Sequence, residues 1–192
     1  SDQNGQSFTF HDGEKTIEAQ TKLLGEHNIE NLTGAIAVAK SLGISDKDIK
    51  FAIRRIKSVP HRLELTTKGN LSIIDDSYNS NPVSSKLAID TLAKFDGIKI
   101  VVTPGLIELG AEEEKYNREL GIHIAKKSCD YVYLVGNSTQ TNAIESGLIE
   151  QNYPEHKIQR VALPQEAVAY ASKKHPSEKV TVLLLNDLPD NY

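Results

Sequence analysis

Leu71-Ser72-Ile73-Ile74-Asp75-Asp76-Ser77-Tyr78-Asn79-Ser80-Asn81-Pro82 changes character twice within a short span. Leu71 to Asp75 is a brief apolar run ending in carboxylates, which predicts a strand. The polar stretch after it predicts a loop. Asn81 then suits a helix N-cap and Pro82 the first helical position, so a helix is expected from Pro82 to Phe95. The same strand–loop–helix rhythm continues downstream. Strands are expected at Ile98 to Val102, Tyr131 to Val135, Ile158 to Ala162 and Val180 to Leu185. Helices are expected at Glu112 to Lys127 (acid at its start, base at its end), Thr139 to Glu150 and Pro164 to Lys174. Five strands alternating with four helices predict an α/β fold: a Rossmann-like, mostly parallel, doubly wound sheet. Five strands are too few for a closed eight-fold barrel.

Upstream the pattern differs. Residues 7–19 alternate weakly around Asp12-Gly13, as a hairpin would. Ile29, Leu32, Ala35, Ile36 and Ala39 have helical spacing, and Gly43 ends that helix. Ser45 caps a second helix with Asp46 and Asp48 in its first turn and Lys57 near its end. Val59-Pro60 breaks it. A hairpin and two short helices cannot enclose much core. Residues 1–60 are therefore expected to be a small α+β segment, the tail of a domain whose body lies elsewhere, and residues 61–192 a complete domain.

With 39% hydrophobic and 25% charged residues, the 192-residue chain has ordinary globular proportions. A net charge of −4 with mixed signs gives no electrostatic case for nucleic acid or a membrane surface. No run approaches the ~20 apolar residues of a membrane span, and the polar start, Ser1 to Gly5, shows no signal peptide. The single cysteine, Cys129, fits a reducing compartment and reads as a small core-edge residue. A cytoplasmic monomer is expected. The absence of any methionine, the first residue included, suggests a processed or excised piece.

In an open parallel sheet, ligands bind beyond the carboxyl ends of the strands. The loop from Asp75 to Pro82 sets two carboxylates, serine hydroxyls, a phenol and two amides there, at a helix N-terminus. It also reads as a plain polar turn with a cap. Gly25 to Asn31 is a second candidate, although His27 or Asn28 serves equally as a helix cap. His61-Arg62-Leu63-Glu64 is a third: the arginine suits either a phosphate or a surface ion pair. The loop Thr103 to Gly110 offers Glu108 between two glycines, or simply a turn into an acidic helix start. His11, His123, His156 and His175 sit singly and lack metal-site spacing, so no metal site is expected in this chain.

Leu23-Leu24-Gly25-Glu26-His27-Asn28-Ile29-Glu30-Asn31, then Val59-Pro60-His61-Arg62-Leu63-Glu64, then Ile74-Asp75-Asp76-Ser77-Tyr78-Asn79-Ser80-Asn81-Pro82 follow one another in the order and spacing of the Mur ligases. The chain resembles that family from about residue 20 to its end. The likeness is strongest to the branch that adds D-alanyl-D-alanine to UDP-N-acetylmuramoyl-tripeptide in peptidoglycan precursor synthesis. The family usually has Gly-Arg at His61-Arg62 and Asn-Ala-Asn-Pro at Asn79-Ser80-Asn81-Pro82; Ile107-Glu108-Leu109-Gly110 is also similar. The resemblance implies that residues 1–60 end a central ATP-binding domain and residues 61–192 form the closing C-terminal domain. It implies an enzyme, an ATP- and Mg2+-dependent carboxylate–amine ligase working through an acyl phosphate. Asn28, Asn31 and, less directly, His27 would lie near the adenine. Arg62 would reach the phosphates and Asp76 the ribose, while Tyr78, Asn79, Asn81 and Glu108 would line the substrate cleft.

Two departures bear on this expectation. No Gly-Lys dipeptide occurs, so the Gly-x-x-x-x-Gly-Lys-Ser/Thr phosphate loop is missing and the chain alone is expected to be inactive. After the last expected strand the chain reads Asn186-Asp187-Leu188-Pro189-Asp190-Asn191-Tyr192, where the family typically has Lys-Gly-Ser. Two other readings therefore stand beside the first. One is a divergent Mur-ligase-like or folylpolyglutamate-synthase-like ligase with another amine substrate. The other is a nucleotide-binding module without catalysis.

Overall fold

The computed structural model describes residues 5–13 and 15–186. The chain divides into two compact units, Ser1–Val59 and Pro60–Tyr192.

In the first unit, strands β1 (Gln6–Asp12) and β2 (Lys15–Thr21) form an antiparallel hairpin, followed by helices α1 (Glu26–Ser41) and α2 (Asp46–Arg55). Each element but β1 gives the apolar cluster one pair of buried residues at its own period. Ile17 and Ala19 come from β2, Leu32 and Ile36 from α1, and Ile49 and Ile53 from α2. The expected cap on α1 is corrected. The helix begins at Glu26 after Gly25, whose φ of 83° suits glycine, and it has no side-chain cap. Gln6 Nε2 holds the approach by donating to the Leu23 and Gly25 carbonyls at 2.8 and 2.9 Å. Asn28 Nδ2 instead donates back to the Leu24 carbonyl at 2.7 Å. Gly43 ends α1, and Ser45 caps α2 by accepting the Asp48 N–H, as expected. Lys57 lies past the end of α2, whose last turn is basic through Arg54 and Arg55.

The second unit is built on a six-stranded sheet. Its strands are β3 (Glu64–Lys68), β4 (Leu71–Asp76), β5 (Ile98–Thr103), β6 (Tyr131–Val135), β7 (Ile158–Val161) and β8 (Val180–Leu185). They lie in the order β3-β4-β8-β5-β6-β7, with all pairs parallel except β3 with β4. Helices α3 (Pro82–Leu92), α4 (Glu113–Lys126), α5 (Thr139–Glu150) and α6 (Pro164–Lys174) connect the parallel strands. The α/β, mostly parallel doubly wound sheet is thus present, with one correction: β3 adds a sixth, antiparallel strand. It escaped the pattern because it is an edge strand, exposed at Thr66, Thr67 and Lys68, and so carries no alternating burial.

The sheet is covered on both faces, unequally. On one face, Ala167 and Ala171 of α6 pack with Ile100, Val102, Tyr133, Val135, Val180 and Val182. Val101, Val132, Leu134 and Leu183 alternate to the other face and are fully buried there. Helix α4 packs against both α3 and α5. Burial on both faces explains why β5, β6 and β8 are largely apolar, broken only by Lys99, Thr103 and Thr181. Strand β8 runs between β4 and β5, with Asp76 opposite Leu185 and Val102 opposite Leu184. The carboxyl ends of these three strands therefore lie side by side. Of the unusual chain end, Asn186 is described and Asp187 to Tyr192 lie outside the described residues.

Candidate functional site

Asp75 and Asp76 end β4 and face opposite ways, as adjacent strand residues must. Asp76 is the buried one, 8% exposed, and its Oδ1 accepts the Leu63 N–H at 3.1 Å. Burial pushes its carboxyl up to about 6, against the pull of the Leu63 N–H and the Arg62 charge. Asp75 is more open. It accepts from the Ser77 N–H at 3.1 Å and hydroxyl at 2.6 Å, and its other oxygen lies 2.9 Å from His61 Nδ1.

The segment before β3 is laced to the loop after β4. His61 and Leu63 both take left-handed backbone, φ 60° and 47°, which turns Leu63 inward and leaves Arg62 outside. The Arg62 guanidinium stacks 4.4 Å from the centre of the Tyr78 ring, and its Nη1 donates to the Asn79 carbonyl at 3.2 Å. The Tyr78 N–H donates to the His61 carbonyl at 3.3 Å. Arg62, Asp76, Tyr78 and Asn79 are thereby brought together at one end of the sheet. Asn81 has a structural task there. Its Oδ1 accepts the Val83 and Ser84 N–H groups, each at 2.9 Å, in a capping box for α3.

The neighbouring loop, after β5, is held from within. Thr103 Oγ1 accepts the Gly105 N–H at 3.0 Å, and buried Asn117 of α4 brackets Leu106, accepting its N–H at 2.7 Å and donating to its carbonyl at 2.9 Å. Gly105 has φ 96°, and a Cβ there would lie 2.6 Å from the Gln140 Cβ, so glycine is required. Glu108 projects from this loop, exposed and also left-handed at φ 62°. Among the described residues it makes no hydrogen bond or ion pair with the β4 loop. In the first unit, Asn31 is exposed, and the half-buried His27 ring has no partner for its Nδ1 among the described residues. Burial chiefly lowers the His27 pKa, with Glu30 opposing.

One residue of the site escaped the sequence reading. Asn186, directly after β8, is 1% exposed and bonds to both loops. Its only sequence signal is an asparagine at a strand end, a residue type that tolerates left-handed backbone. Ser80, beside it, has a buried hydroxyl without a partner among the described residues. Cys129 is buried as expected, its thiol pushed up to about 12 by burial. The described residues contain no group of three or more side chains that could hold a metal ion, and no helix long and apolar enough to cross a membrane.

Comparison with known proteins gives a consistent result. The family model "Mur ligase, glutamate ligase domain" matches residues 61–185. The UDP-N-acetylmuramoyl-tripeptide–D-alanyl-D-alanine ligase of Escherichia coli is 32% identical over 148 residues, 77% of this chain and 33% of that enzyme. A crystal structure of MurF from Acinetobacter baumannii superposes with a TM-score of 0.79 at 26% identity, covering 96% of this chain and 39% of that one. The MurF ligase of Thermotoga maritima, solved in complex with ADP, gives a TM-score of 0.72 at 21% identity over 96% of this chain and 43% of that one, and so shares the fold. The chain spans about a third of the length of the curated relative it matches. On the family match over residues 61–185 and the sheet that carries it, the chain belongs to the Mur ligase family.

Proposed function

We propose that the chain is the C-terminal portion of a cytoplasmic, monomeric ATP-dependent carboxylate–amine ligase that adds D-alanyl-D-alanine to UDP-N-acetylmuramoyl-tripeptide. The observation that carries this reading is the buried carboxylate of Asp76 set beside the stacked guanidinium of Arg62, at the strand ends where such sheets take ligands. On this reading residues 1–60 end the ATP-binding domain, and residues 61–192 form the C-terminal domain.

The side chains suit a nucleotide. Asp76 uses one oxygen on the Leu63 N–H, and the other can accept from ribose hydroxyls. Arg62 spends Nη1 on the Asn79 carbonyl and keeps further N–H groups for phosphate oxygens. The Tyr78 ring fixes the plane of that fork. His27, Asn28 and Asn31 would face the adenine. Asn79 and Glu108 would face the incoming amine, and Asn81 would act there through the α3 cap. Bound ATP would transfer its γ-phosphoryl group to the substrate carboxylate and leave as ADP, and attack of the amine on that acyl phosphate would form the amide and expel phosphate. The described residues contain no group of three or more side chains that could hold a metal ion, and on this reading the ligands of Mg2+ belong mostly to the rest of the ATP-binding domain.

The test is phosphate release with UDP-muramoyl-tripeptide, D-alanyl-D-alanine and Mg-ATP. The 192-residue chain, lacking a Gly-Lys phosphate loop, should release none above blank. The longer ligase that carries it should release phosphate only when both substrates are present. Activity of the short chain by itself, or release indifferent to the amine, would overturn the reading.

A further inference from the structure

We propose that Asn186 is a positioning residue whose side-chain amide locks the loop after β4 to the loop after β5. Its Oδ1 accepts the Ser80 N–H at 3.1 Å, and its Nδ2 donates to the Gly105 carbonyl. Its own N–H donates to the Asp76 carbonyl at 3.1 Å, extending the parallel pairing of β4 and β8 by one step. One buried residue thus touches Asp76, the β4 loop and the β5 loop.

The chemistry demands an amide. A carboxamide can accept from an N–H and donate to a carbonyl at once, whereas a lysine at this place, with donors and no acceptor, could not serve Ser80. Asn186 also sits at φ 70°, a left-handed conformation that asparagine tolerates better than most residues. The β5 loop is itself anchored by Thr103 and Asn117. Asn186 passes that anchorage to the β4 loop, so Asn79 and Arg62 on one side and Glu108 on the other keep a fixed spacing. The functional half of this inference rests on the ligase reading above; the structural half does not.

The variant of choice is Asn186→Gly, because glycine keeps the left-handed backbone and the bond to Asp76 while deleting the bridge. In the 15N-labelled chain, exchange of the Ser80 amide should accelerate at least about tenfold, while the Val101 and Val132 amides of the central strands stay unchanged. Asn186→Asp retains the acceptor for Ser80 but loses the donor to Gly105, so its Ser80 exchange should fall between wild type and Asn186→Gly. In the ligase, Asn186→Gly should raise KM for both ATP and the amine roughly fivefold or more at unchanged melting temperature. Unchanged Ser80 exchange, acceleration shared equally by Val101 and Val132, or unaltered KM values in an active ligase would each overturn the proposal. A wild-type ligase without activity would count against the ligase reading instead, and the exchange experiment, which uses no ligand, would still decide whether Asn186 locks the loops.

Discussion

Asp76 holds a charge where the fold makes charge expensive. Its pKa rises from 3.8 to about 6, with burial the largest cause. The folded state therefore binds the proton more tightly than the unfolded state does. The stability this gives is fully present below about pH 4 and is lost as pH rises through about 6. A shift near two units corresponds to about 3 kcal/mol at neutral pH. Asp76→Asn removes that cost and still offers Leu63 an acceptor oxygen, so it should raise the melting temperature at pH 8 and leave it nearly unchanged at pH 4. In the ligase the same change should weaken ATP use roughly tenfold or more, because a charge-assisted acceptor for ribose is gone. Asp75→Ala should do less to ATP use, since Asp75 is engaged with Ser77 and His61. A gain in stability equal at both pH values, or a loss at pH 8, would show that Asp76 is not held ionised at a cost. The alternation of this pair was legible in the sequence. That Asp75 is the outward member also followed from it, whereas the bond that holds Asp76 was hidden, because it depends on Leu63 arriving from the segment before β3.

Helix-interior glycines show what an element's own sequence cannot express. Gly34 in α1 and Gly121 in α4 look alike as residues: each weakens its helix by roughly 0.5–1 kcal/mol relative to alanine. A Cβ on Gly34 meets nothing within 4 Å, whereas one on Gly121 would lie 2.1 Å from the Ile144 carbonyl oxygen of α5. Gly147 of α5 is the reciprocal case, 2.1 Å from the Arg118 carbonyl oxygen of α4. The two helices thus cross backbone to backbone. Gly34→Ala should stabilise by up to about 1 kcal/mol, and Gly121→Ala should destabilise by about 1–3 kcal/mol despite its better propensity. Urea titrations of both variants measure this. Equal gains would mean that α4 and α5 do not approach so closely. The other elements divide along the same line. Strands β5, β6 and β8 were legible because both their faces are buried, while β3 was hidden by its exposed edge.

At the scale of the whole chain, the two units differ in how much each can bury. The second carries a six-stranded sheet with helices on both faces, whereas the first buries Leu24 and one small cluster of Ile17, Ala19, Leu32, Ile36, Ile49 and Ile53. A domain of about 60 residues buries only about 60% of the surface its unfolded chain exposes, which leaves little margin over conformational entropy. Between α2 and β3 the chain has no helix or strand, and Lys57, Val59, Pro60, His61 and Arg62 are exposed. Exposed irregular backbone is where proteases cut first. Brief digestion with trypsin should therefore cleave after Lys57 or Arg62. The C-terminal product should persist, because its strands pair with one another and its helices cover them, and its amide spectrum should stay dispersed. The N-terminal product should be degraded on the same timescale, since an opened hairpin and two short helices reclose around few apolar contacts. Mass spectrometry of the time course identifies both fragments. A surviving N-terminal fragment beside a degraded C-terminal one, or a separately produced 1–59 peptide that melts cooperatively, would show that the smaller core suffices for folding on its own.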